Sequence, residues 1–419
     1  MKKTYFFNTF ALLVGLALFA CSTSEEKNIA VQKTDEELKK LADSLAHQFI
    51  IIDGHVDLPY RLITKGFRFE KELLGIPISS KEGDFDYERA KKGGLSAPFM
   101  SIYIPSTFQK EEGGSKKYAD TLINMVQNIV KNIPDKFALA NSPSEIEANF
   151  KKGLISLPMG MENGSPIEKD IKNVAYFYDR GIRYITLTHG LDNNICDSSY
   201  DTTRTWNGLS PFGVEVVKEM NKVGIIIDIS HVSDSAFYQV MRITQAPCIA
   251  SHSSCRSFTP KFIRNMSDDM IKALAKNGGV IHINFGSDFL DEKINVENKK
   301  LQNKLDSMLK TKNLKPTDDA AKPIIEQFAK ENPSLFTTVE KVADHIDHVV
   351  KLTSIDHVGL GSDFDGVGDT LPTGLKDVTG YPNLLFVLLK RGYSEEDIAK
   401  ICYKNTFRVW NKVIEVAGK

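Results

Sequence analysis

Eight short apolar runs, separated by stretches of helical period, constrain this chain more than any other feature of its sequence. They read FIIID (49–53), APFMSIYI (97–104), GLISLPMG (153–160), IRYITLT (182–188), GIIIDIS (224–230), APCIAS (246–251), GGVIHINF (278–285) and HVGLGSD (357–363). Between most of them lie segments such as KKYADTLINMVQNIVKNI and SPFGVEVVKEMNKV, whose apolar residues recur at three and four. Near-continuous apolar strands alternating with helices are what a parallel sheet requires when helices cover its outer face. Eight such units predict an α/β chain closed into a (β/α)8 barrel of the TIM type. A doubly wound open sheet is the competitor. It asks for a glycine-rich phosphate loop after the first strand, and Asp53-Gly54-His55-Val56-Asp57 is no such loop. With 419 residues, 42% of them hydrophobic, the chain can bury a core of that size. Lys+Arg at 53 against Asp+Glu at 54 leave a net charge of -1, so no global field draws the chain to nucleic acid.

The N-terminus reads differently. Lys2 and Lys3 form a basic start, residues 5–20 are largely apolar, and Leu18-Phe19-Ala20 precede Cys21. This pattern predicts a bacterial lipoprotein signal over 1–20, with lipid on Cys21 anchoring the mature chain in the cell envelope. A membrane span asks for about 18 or more apolar residues, and this run is shorter, with Asn8 and Thr9 inside it. Residues 21–45 read as a lipid-anchored tether, polar and acidic at its start, with folded structure beginning near Asp35; residues 46–419 form the barrel domain. Cys196, Cys248, Cys255 and Cys402 are irregularly spaced and contain no C-x-x-C pair, so neither a disulfide framework nor a structural zinc site is expected.

The residues that close the apolar runs carry the chemistry. The first run leads to His55 and Asp57, the third to Glu162, the fourth to His189, the fifth to His231, the sixth to His252 and the eighth to Asp363 and Asp365. A barrel brings the C-terminal ends of its strands to one mouth, so residues scattered over three hundred positions become neighbours. His55 and Asp57 are two apart on an extended segment and share a face. Imidazole is the common nitrogen ligand for zinc, and a carboxylate such as Glu162 can bridge two ions. The five residues His55, Asp57, Glu162, His231 and His252 therefore read as an acid-rich and a His-rich half site sharing one carboxylate. His282, inside the seventh run, reads as barrel interior; His47, His345, His348 and His357 read as structural.

In this order and at these separations, IIDGHVDLP, GMENG, ITLTHGLDN, DISHVSD, ASHSSC, IRNMSDD and HVGLGSDFDG resemble the renal (membrane) dipeptidase family of zinc peptidases, over essentially residues 46–410. The resemblance implies two zinc ions per chain, one on His55 and Asp57, the other on His231 and His252, with Glu162 bridging. It implies that His189 and Arg264 contact the substrate and that Asp363 handles protons. It further implies hydrolysis of dipeptides, tolerance of a C-terminal D-residue, β-lactam opening in some members, and a homodimer. Two departures limit it. The charged stretch 288–336 after the seventh run leaves substrate preference open, and Cys196 lies farther beyond His189 than the cysteine of mammalian members, so no disulfide carries over.

The chemistry of such a site follows from general principles. Two divalent ions about 3.5 to 4 Å apart make a bridging water acidic enough to act as hydroxide near neutral pH. His189 can then donate to the developing oxyanion, Asp363 can move the proton to the leaving amine, and Arg264 can hold the substrate carboxylate with its fork. Two alternatives stay open: another binuclear-metal amidohydrolase, which usually begins H-x-H and bridges through a carboxylated lysine, or a non-catalytic peptide-binding surface lipoprotein.

Overall fold

The computed structural model describes residues 1–2, 33–64, 77–316, 318–368 and 370–419; the signal segment beyond its first two residues, Cys21 and the first part of the tether lie outside the described residues. Among the described residues the first helix spans Asp35–Gln48, where Thr34 and Glu37 form a capping box, and that helix packs against another over Tyr381–Lys390. That helix starts at Asp35, inside the segment read as tether.

Eight parallel strands form one sheet in chain order: β1 Ile51–Val56, β2 Leu95–Tyr103, β3 Met159–Glu162, β4 Ile182–Thr186, β5 Ile226–Asp228, β6 Ile249–Ser253, β7 Val280–Ile283 and β8 Val358–Leu360. Just past β8 the ring closes on β1: the Asp363 N–H donates to the His55 carbonyl (3.1 Å) and the Asp57 N–H to that of Phe364 (2.8 Å). The expected barrel is the observed fold. Each strand is buried along nearly its whole length, as its Val- and Ile-rich sequence requires when helices cover one face and the barrel interior the other.

One strand differs from expectation. The run 153–160 is two elements, because Pro158 has no N–H to continue a ladder. Ile155–Leu157 pairs with Phe137–Leu139 in a separate two-stranded sheet, and the chain enters the barrel only at Met159. The connecting helices stop and start where the local chemistry dictates. In the helix Pro211–Val223, Ser210 caps the first turn, Pro211 supplies its preset φ, and Gly224 ends it in the left-handed region at φ 88°.

The barrel interior is filled from below. Ile52, Phe99, Tyr184, Ile226, Ile249 and Val280 cluster with Trp410 and Val413 of the C-terminal helix Asn405–Val416. His282 is buried among them as expected, with its ring nitrogens bonded to the Ala250 carbonyl (3.0 Å) and the Thr406 hydroxyl (2.9 Å). Large interior rings need room, and glycine supplies it: a Cβ on Gly160 would lie 1.9 Å from Cζ of Tyr184. That packed floor leaves only the upper end of the barrel open for chemistry.

Candidate active site

The barrel mouth gathers every residue expected there. His55 is the penultimate residue of β1 with Asp57 just past it, Glu162 ends β3, and His252 lies within β6. His189, His231 and Asp363 each follow their strand by three residues. The chain bends sharply at these points. His231 (φ 68°), Asp363 (φ 63°), Asp365 (φ 66°) and Asn163 (φ 79°) all occupy the left-handed region, which costs about 1 kcal/mol or more for each non-glycine residue.

Glu162 stands at the centre, and its two oxygens divide the cluster. Oε2 lies 3.3 Å from Nε2 of His55, which is 3.4 Å from Oδ2 of Asp57 and 4.0 Å from Oδ1 of Asp363. Oε1 faces Nε2 of His231 (3.0 Å), His252 (3.2 Å) and His189 (3.6 Å). Three overlapping sets have ligating atoms within 4.8 Å of one another: His55, Glu162 and His252; Glu162, His189 and His231; His55, Asp57 and Asp363. His189 and Asp363, expected to act on substrate and proton, therefore also stand within ligating reach.

These donors fit a metal centre on grounds internal to the structure. Nε2 of His55 and Oδ1 of Asp57 are buried with no hydrogen-bond partner. The Nε2 atoms of His231 and His252 face each other at 2.9 Å, a separation that two lone pairs tolerate only around a shared proton or cation. The electrostatics agree. Burial pushes the Glu162 carboxyl up, but the imidazoles of His55, His189, His231 and His252 outweigh it and hold the group well below the usual carboxylate range. Burial, reinforced by Arg264, keeps His231 well below its ordinary value; burial and His55 do the same for His252, so both are neutral as ligands must be. At His55 burial is overcome by Tyr184 and by the carboxylates of Glu162 and Asp57, which raise it well above the ordinary value. This carboxylate-lined point calls for positive charge. Burial raises the Asp363 carboxyl to about 7, with Asp57 and Glu162 adding to the shift and His55 opposing it; Asn284 fixes its Oδ2 by a 2.7 Å hydrogen bond.

Above the cluster opens a cleft of about 410 Å³ walled by Tyr60, Tyr103, Tyr200, Asp288 and Phe289. Arg264 lies beneath the rim, 3% exposed, with its guanidinium over the Phe289 ring at 5.4 Å. Nη1 donates to the Ser253 hydroxyl (2.5 Å) and Nη2 to the His252 carbonyl (2.8 Å), while buried Nε has no partner. Asp365 turns away to Arg61 (3.1 Å) and accepts from the Asp84 N–H (2.6 Å), as a loop-stabilising residue would. A larger cavity of about 700 Å³ is lined by Gln109, Glu168, Asp192, Asn193 and Trp206 among others, and Oε1 of Gln109 accepts from the side-chain amide of Asn163, the residue after Glu162 (2.9 Å).

Several residues of the site went unremarked in the sequence. Tyr184 bonds Nδ1 of His55 (2.9 Å), and Ser251 bonds both Nδ1 of His252 (2.8 Å) and Asp228 (2.6 Å). A signal existed for the carboxylate: Asp228, like Asp53, closes an uninterrupted apolar run, and an acid there must be buried and paired. None existed for Tyr184, whose partner is 129 positions away.

Comparison with known proteins bears on this geometry. The model of the membrane dipeptidase family (peptidase family M19) matches residues 39–419. Dipeptidase verJ of Clonostachys rogersoniana is 33% identical over 394 residues, spanning 92% of this chain and 89% of that protein. The uncharacterized dipeptidase C3A11.10c of Schizosaccharomyces pombe is 31% identical over 373 residues, spanning 86% and 80%. Among solved structures, the probable dipeptidase PvdM from Pseudomonas aeruginosa superposes with a TM-score of 0.77 at 26% identity, covering 91% of this chain and all of that one. A metallo peptidase from Rhodobacter sphaeroides, liganded with a phosphinate mimic of the dipeptide L-Ala-D-Ala, has the same fold, with a TM-score of 0.71 at 23% identity over 87% and 99% of the two chains. The Glu162-centred cluster at the mouth of a (β/α)8 barrel is thus found in a chain that belongs to the membrane dipeptidase family, a metallo-dipeptidase.

Proposed function

We propose that this dipeptidase works with two zinc ions per chain: one on His55 and Asp57, the other on His231 and His252, with Glu162 between them. The observation that carries this reading is the division of the Glu162 oxygens, Oε2 toward His55 and Oε1 toward His231 and His252. When bound, such a pair supplies Lewis acidity toward the scissile carbonyl and a water acidic enough to be nucleophilic at neutral pH.

The chain's own residues do the rest. Asp363, steadied by Asn284 at Oδ2, takes the proton of the attacking water on Oδ1, the oxygen that faces the cluster, and returns it to the leaving amine. His189, 24% exposed at its side chain, donates from Nε2 to the oxyanion. Arg264 reads the substrate's C-terminal carboxylate through its unpartnered Nε edge. Tyr60, Tyr103 and Tyr200 wall the cleft around the bound dipeptide. A C-terminal D-residue is accepted, a reading supported by the L-Ala-D-Ala mimic held by the Rhodobacter sphaeroides relative. The mature protein is a homodimer held at the cell envelope by lipid on Cys21.

Elemental analysis of active protein tests the centre directly. It should give close to two zinc ions per chain, and chelators should abolish hydrolysis. Glu162→Gln should empty both positions, whereas His252→Ala should mainly empty one. One ion in the active wild type, or equal single-ion loss in both variants, would overturn the bridge.

A further inference from the structure

We propose that Asp228 and Tyr184 are positioning residues that set the tautomers of two histidines, Asp228 acting through Ser251 on His252 and Tyr184 acting directly on His55, so that each presents its Nε2 lone pair to the centre. The inference rests on the two-ion reading above. It follows from counting protons.

Asp228 is wholly buried at the end of β5 and receives four donors. Its Oδ1 accepts the N–H of Ser230 (3.0 Å) and of Ser251 (2.8 Å), and its Oδ2 accepts the hydroxyls of Thr186 (2.5 Å) and Ser251 (2.6 Å). Ser251 has a single hydroxyl proton. Were that proton turned to His252, two oxygens would face each other at 2.6 Å with nothing between them. It therefore goes to Asp228, and the Ser251 oxygen must accept at its other contact, Nδ1 of His252 at 2.8 Å. His252 then carries its proton on Nδ1, and its Nε2 lone pair is turned to the centre, beside Oε1 of Glu162 (3.2 Å) and Nε2 of His231 (2.9 Å).

Tyr184 repeats the logic across the barrel. Its hydroxyl contacts the Gly54 carbonyl at 3.1 Å, which can only accept, and Nδ1 of His55 at 2.9 Å. The phenol proton goes to the carbonyl and the phenol oxygen accepts from Nδ1–H, so Nε2, turned toward Asp57 and Glu162, is the nitrogen that gives up its proton when a cation is held there. The ring reaches this point because Gly160 leaves its path open. A ligating histidine held by a carboxylate or carbonyl behind it is a general device, and removing the outer partner costs 10- to 100-fold in metal affinity.

Asp228→Asn is the sharp test, because the two backbone N–H groups at Oδ1 oblige the amide oxygen to stay there. The NH2 group then faces Ser251, turns its hydroxyl proton toward His252, and moves the imidazole proton to Nε2. Nitrogen-15 NMR of the metal-free protein should show His252 as Nδ1–H in the wild type and as Nε2–H in Asp228→Asn, a shift that a merely structural role does not produce. In chelator competition, Asp228→Asn and Ser251→Ala should weaken one of the two zinc ions about 10- to 100-fold, and Tyr184→Phe should weaken the other. Wild-type His252 protonated on Nε2, an unchanged tautomer in Asp228→Asn, or unchanged zinc affinity in all three variants would overturn the proposal. Should the wild type take up no zinc at all, the metal reading fails by itself, while the tautomer measurement still decides the relay.

Discussion

At the scale of single residues the site works by placing charge where water cannot compensate it. Asp363 is the clearest case, since burial lifts its carboxyl to about 7 while the unfolded chain releases that proton near 3.9. Between those values the unfolded state binds fewer protons than the native one, so in metal-free protein this group lowers stability as pH rises from about 4 to about 7. The thermal midpoint of metal-free wild type should accordingly fall between pH 5 and pH 8 relative to Asp363→Asn; parallel curves would assign the trend to another group. In the loaded enzyme Asp363→Asn should cut kcat by about 100-fold or more with zinc content retained, as expected for a proton-transfer residue. If zinc falls together with activity, Asp363 is a ligand, a role its 4.0 Å approach to His55 also permits. Arg264 poses a similar choice, because its Nη atoms support the strand that carries His252 while Nε stays open. Arg264→Met should lower kcat/KM for free dipeptides by roughly 30-fold to several thousand-fold, the cost of about 2 to 5 kcal/mol for breaking a desolvated pair. A dipeptide amide, lacking the carboxylate, should be nearly unaffected; equal loss for both substrates would make Arg264 a structural residue.

At the scale of elements, the strands supply position and the turns after them supply aim. The register of β1 on β2 shifts between Asp53 and Val56, and that of β6 on β7 between Ala250 and Ser253, so both strands are irregular where His55 and His252 sit. Asp53 and Asp228 brace these ends in the same way, each accepting a backbone N–H two residues on and another from the neighbouring strand. Inside the barrel, Gly160 and Tyr184 form one packing unit. Gly160→Ala should destabilise the protein at the upper end of the about 1 to 3 kcal/mol typical of overpacking, read from its denaturation midpoint, and should disturb the His55 half of the centre first. The segment 288–336, legible only as charged, is largely helical; its helix Glu292–Thr311 buries Leu309 alone, yet its start delivers Asp288 and Phe289 to the cleft. Phe289 lines the wall and lies under Arg264 without approaching the reacting atoms, so Phe289→Ala should raise KM about 10-fold and change kcat little.

At the scale of the whole molecule, the proposed anchor at Cys21 lies outside the barrel that carries the candidate site. Cys21→Ala should move the protein from the membrane fraction to the soluble one while dipeptide hydrolysis persists, because the apolar run before it is too short to span well. Retention of a cleaved variant would point to another attachment. The sequence by itself determined the barrel and which residues meet at its mouth, because both follow from periodic, local signals: apolar runs at repeated intervals, with His55, Asp57, Glu162, His189, His231, His252 and Asp363 each at or just beyond a strand end, where topology alone makes them converge. Tertiary structure alone decided how Glu162 divides its oxygens, which hydroxyl stands behind which histidine, and that Pro158 hands the chain from an outer sheet to the barrel. Those features depend on the stagger of parallel strands and on interior pairs as distant as Gly160 with Tyr184 or Asp228 with Ser251. Their energies arise only when both partners are buried together, so neither residue carries a mark of the other in its own neighbourhood of the sequence.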